Sequence, residues 1–91
     1  MSSDLKSNRI TSTGSVFGGP ARVKAIYMAS AATAGTVVLT NGNGGATIAS
    51  LDTPASAADP VYLVFPEGGL LFPTSVYATI TNTTSITVFY A

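Results

Sequence analysis

The feature that most constrains this chain is the stretch from Gly35 to Leu51, where two short runs rich in β-branched residues flank Asn41-Gly-Asn-Gly-Gly45. Tight hairpin turns need positive φ at their centre, and Gly, with Asn behind it, reaches that region at low cost. Asn-Gly dipeptides between two such runs therefore predict a β-hairpin.

The rest of the chain repeats the same grammar of short strand and small-residue break. Pro20 opens a long strand from Ala21 to Ser30, with Arg22 and Lys24 on one face and Val23, Ala25 and Tyr27 on the other. The alanines from Ala29 to Ala34 are too few for a helix and stop at Gly35, which predicts a loop or a single helical turn. Asp52 and Thr53 before Pro54 read as a turn, since the residue before proline avoids the α region. Val61 to Phe65 is apolar on both faces, which predicts a central strand covered on both sides. Leu70 to Phe72 is a short strand ending at Pro73. From Ser75 to Thr81 the pattern alternates, with Val76, Ala78 and Ile80 inward and Tyr77, Thr79 and Thr81 outward. Ile86 to Tyr90 alternates again and reads as a terminal strand pinned in a sheet.

Seven or eight short strands at this spacing predict an all-β fold, a small antiparallel β-sandwich with a jelly roll as one permitted form. Residues 1–15 are polar and lack sustained periodicity. They read either as a frayed end or as an extended N-terminal arm that orders against a neighbouring subunit, leaving 16–91 as the single β-sandwich domain. A polar start without an apolar core is not a signal peptide, and no apolar run approaches the roughly 18 residues that span a bilayer.

Composition bears on partners. Only 9% of the residues are charged, and four basic and four acidic side chains balance to zero. Nucleic-acid binding depends on clustered cations neutralising phosphates, so no nucleic-acid partner is expected, and the same balance excludes electrostatic attachment to a membrane. A neutral, charge-poor surface is a poor device for staying dispersed, so the chain is expected to be covered in an assembly, as a homo-oligomer with a trimer favoured.

The chemistry of catalysis is thinly represented. The chain has no histidine and no cysteine, which removes the commonest bases, nucleophiles and metal ligands. The carboxylates Asp4, Asp52, Asp59 and Glu67 all fall in the terminus, turns or loops. A glycosidase-type pair of Asp59 and Glu67 is formally possible, but turn aspartates bonded to their own backbone are far commoner. Gly42 to Gly45 has no following Lys-Ser/Thr and no helix dipole, so it is a turn and not a phosphate cradle. Asn82-Thr-Thr84 matches a glycosylation acceptor and reads as a turn. No enzymatic activity, cofactor or metal site is expected. The candidate interface residues are Arg22 and Lys24, half of the basic side chains and placed on one strand, together with Tyr77 and Phe89, which lie opposite the more aliphatic faces of their strands.

Across Phe17-Gly-Gly-Pro-Ala-Arg-Val-Lys-Ala-Ile-Tyr27, Ala34-Gly-Thr-Val-Val-Leu39, Leu51-Asp-Thr-Pro-Ala-Ser56, Val76-Tyr-Ala-Thr-Ile-Thr-Asn82 and Val88-Phe-Tyr90, the chain resembles small virion structural proteins of tailed phages infecting marine bacteria and cyanobacteria. The resemblance implies a non-enzymatic protein made in the host cytoplasm and carried in the virion. Its most concrete form is a capsid decoration, or cement, protein on the capsid surface, partnered by the major capsid protein or another virion protein. The same features leave open a tail, neck or fibre component, or a carbohydrate- or receptor-binding module.

Overall fold

Alternation of apolar and polar side chains along β-branched stretches drives this sequence into strands, and a computed structural model describes residues 5–56, 59–66 and 68–91. Nine strands form among them: β1 (Lys6–Ile10), β2 (Gly14–Phe17), β3 (Ala21–Ser30), β4 (Gly35–Asn41), β5 (Thr47–Thr53), β6 (Val61–Val64), β7 (Leu70–Phe72), β8 (Val76–Thr81) and β9 (Thr83–Tyr90). No helix forms among the described residues. Strand count thus exceeds the seven or eight expected, because the N-terminal segment supplies two strands of its own.

The strands make two antiparallel sheets. One runs β1-β9-β3-β6, with β7 also paired to β3, and the other runs β2-β8-β4-β5. The pairings β1 with β9, β2 with β8, β3 with β6 and β7, and β4 with β5 set the first half of the chain against the second. The chain is therefore one long antiparallel ribbon, closed on itself by the pairings of β3 with β9 and β4 with β8. A rolled ribbon of this kind is a jelly-roll β-sandwich, with β6 and β7 sharing one strand position. The hairpin at Asn41–Gly45 is the point where the whole ribbon doubles back.

The core lies between the sheets. Val23, Ile26, Met28, Ile86 and Val88 from one sheet meet Val37, Leu39, Val76 and Ala78 from the other, and Phe72 closes one end; all are fully buried. The inward residues of β8 are as the alternation predicts, with Val76 and Ala78 buried and Tyr77 on the opposite face.

Several sequence expectations change. Asp52 and Thr53 end β5 and are not a turn, and Thr83 and Thr84 open β9, which leaves Asn82 alone between the strands. Residues 6–15 are not an arm: Lys6 to Ile10 pair in register with Tyr90 to Ile86, and Gly14 and Ser15 pair with Ala78 and Tyr77. Asn8 Nδ2 donates to the Val16 carbonyl at 2.8 Å, and Thr13 Oγ1 accepts from the Ile80 amide at 3.0 Å, tying this polar segment to its own domain. Residues 1–4 lie outside the described residues. Val61 to Phe65 is not a central strand, because β6 occupies a sheet edge between Pro60 and Pro66, the position that prolines tolerate. Tyr27 does not share the core face with Val23. The register between β3 and β9 slips between Val23 and Ala25, and this β-bulge at Lys24 turns Ile26 and Met28 inward and Tyr27 outward.

Candidate interaction face

The bulge and the edge position of β6 together assemble a surface. On the outer side of the five-stranded sheet, cross-strand neighbours form two rows. One runs Val64, Ala25, Phe89, Ser7, and the next runs Tyr62, Tyr27, Thr87, Arg9. Tyr62 is 58% exposed, Val64 66% and Tyr27 39%, and Leu71 beyond them is 51% exposed. Tyr62 and Phe89 lie two strands apart, yet their rings meet edge to face at 6.4 Å and 78°. They meet over β3 at Ala25, whose methyl group leaves room between them.

Basic side chains surround this apolar centre. Arg9 ends the second row opposite Thr87, Arg22 stands opposite Leu71, and Lys24 occupies the bulge. The Arg22 backbone is fixed by reciprocal bonds with Ala91 at 2.9 Å, and the Lys24 carbonyl accepts from the Phe65 amide at 2.9 Å. Three of the four basic residues of the chain thus lie on one face. Of the four candidate interface residues, the structure brings Arg22, Lys24 and Phe89 together here. Tyr77 is on the other sheet, flanked by Ser15 and Thr40 on an outer face rich in threonine, so it belongs to a different surface. Sequence reasoning missed Tyr62, Val64 and Tyr27. The apolar second face of Val61–Phe65 was the available signal, and it marks an uncovered edge, not a covered strand.

The sheet edges differ. β1 carries Lys6 and Arg9, β2 has four residues and a register shift, and β6 and β7 are short and bounded by Pro60, Pro66 and Pro73. These are the devices that discourage strand addition. By contrast, β5 runs seven residues from Thr47 to Thr53 with neither proline nor a basic side chain, and Asp52 is its single charge.

Asp52 lies on β5 opposite Thr36 and Asp59 in the loop before β6, while Asp4 and Glu67 fall outside the described residues, as does any Asp59–Glu67 pairing. Among the described residues no pocket opens and no three potential metal ligands gather. No helix among them is long and apolar enough to cross a membrane. The chain matches no protein-family model, no curated protein and no solved structure.

Proposed function

We propose that this protein is a non-enzymatic virion structural protein of a tailed phage, in the first place a capsid decoration protein that bridges capsomers from outside. The observation that carries the reading is the exposed apolar face of Tyr27, Tyr62, Val64 and Phe89 with its rim of Arg9, Arg22 and Lys24. An aromatic centre within a polar rim is how protein interfaces are built, and a cationic rim fits an apolar partner surface bordered by carboxylates. The jelly roll supports the reading by analogy, since viral capsid domains use it, although lectin domains use it too.

Self-association belongs to the same reading, and β5 is the edge through which a second copy pairs. Like-to-like pairing across a twofold axis closes as a dimer. The trimer favoured from the sequence needs β5 to meet a different surface of the next copy.

The test is addition of the purified chain to mature capsids that lack it. Binding in a copy number that matches local capsid symmetry is expected, and a Tyr62→Ser/Val64→Ser variant is expected to stay folded and fail to bind. No binding of the parent chain, or its location solely in the tail by electron microscopy, overturns the decoration reading in favour of a tail, neck or fibre component.

A further inference from the structure

The doubled Asn-Gly motif at the ribbon's turning point has a chemistry that the fold does not use. In an Asn-Gly dipeptide the glycine amide nitrogen, unshielded by a side chain, can attack the asparagine Cγ. A C–N bond forms, ammonia leaves with the glycine amide proton, and the resulting succinimide is opened by water at either carbonyl to give aspartate or isoaspartate. The net change is one amide plus one water to one carboxylic acid plus one ammonia. Asparagine is accordingly among the thermolabile residues.

The two dipeptides sit in different surroundings. Asn41 is half-buried, and its Oδ1 accepts from the Thr74 amide at 2.8 Å and from the Ser75 amide at 3.4 Å. The nucleophile that would attack it is also engaged, since the Gly42 amide donates to the Thr40 carbonyl at 2.9 Å. Asn43 is exposed at the tip, within a turn closed by the Gly45 amide donating to the Gly42 carbonyl at 3.0 Å. Among the described residues neither the Asn43 side chain nor the Gly44 amide has a hydrogen-bond partner. Gly44 has φ +79°, and the space where its side chain would stand is open.

We infer that Asn43 is a self-modifying site, converting spontaneously to aspartate and isoaspartate in the folded protein, while the fold protects Asn41. Conversion takes a chain with a formal charge of zero and places a carboxylate at the tip of the hairpin. The isoaspartate product also adds a backbone methylene next to Gly44, in the turn from which both arms of the ribbon depart. The protein therefore carries a slow, pH-dependent change of charge and shape at one defined point, faster as pH rises because the attacking nitrogen must lose its proton.

The experiment is incubation of the intact folded chain at mildly alkaline pH, followed by peptide mapping that separates the two sites and both acidic products. A parallel sample in denaturant serves as reference. In the denatured chain both asparagines should convert at similar rates. In the folded chain Asn43 should convert while Asn41 lags by on the order of tenfold or more, as expected from its additional hydrogen bonds. Gly44→Ala should slow conversion at Asn43 without exposing Asn41. Equal conversion of the two sites in the folded chain, or an Asn43 that survives while the denatured reference converts, overturns the inference.

Discussion

Thr53 and Thr83 show how far a single hydroxyl proton decides energetics. Both are buried, and their Oγ1 atoms lie 3.3 Å apart. Thr83 donates to the Thr81 carbonyl at 3.1 Å, which uses its one proton, so Thr53 must be the donor between them. Removing Thr83 leaves a buried donor without its partner, whereas removing Thr53 leaves an oxygen whose own donation is intact. Thr83→Val should therefore cost about 1–3 kcal/mol and Thr53→Val about 1 kcal/mol or less, read from denaturant midpoints. At the hairpin, Gly45→Ala would drive its new Cβ into the Asn41 carbonyl oxygen. Gly44→Ala meets only the penalty of its positive φ, about 1–3 kcal/mol, so Gly45→Ala should lower the urea midpoint further. Phe72, fully buried at one end of the core, should cost about 3–5 kcal/mol when cut to alanine.

Among the strands, legibility tracked locality. The β4–β5 hairpin, β7, and the alternation in β8 could be read because each depends on a turn or a period within a few residues. The bulge at Lys24 could not, since it arises where β6 and β7 part along the same edge of β3. One slipped residue moved Tyr27 from core to surface, and the outer face was misread with it. β1 was missed because its partner β9 lies at the far end of the chain and its own residues alternate weakly. Arg22 and Phe89 were found by face, but Tyr62 and Val64 were hidden by taking an apolar run for a covered one. The corrected face predicts that Tyr62→Ser and Val64→Ser each change stability by only about 0.5 kcal/mol in thermal unfolding. On β5, the pairing of copies proposed above predicts that Ser50→Lys abolishes concentration-dependent association in sedimentation experiments, by placing a cation on the bare edge.

At the scale of the molecule, the polar N-terminal strand is part of the sandwich. β1 covers one side of β9, the strand that β3 covers on the other. Deleting residues 1–10 removes five cross-strand pairs and the half-buried Ile10, and should cost about 1–5 kcal/mol in denaturant unfolding. Had the segment been an arm, the truncated chain would unfold at the parent midpoint.

The rolled ribbon also dictates an order of events in time. Thr40 meets Thr47 across a short loop, whereas Lys6 meets Tyr90 only after nearly the entire chain has been gathered in. Loop-closure entropy favours the near pairing first, and a topology dominated by distant pairings folds slowly, in about milliseconds to seconds. The hairpin is then the nucleus from which pairing zips outward, and β1 docks last. Substitutions in the Gly42–Gly45 turn should slow refolding in stopped-flow traces, while truncating β1 should chiefly accelerate unfolding.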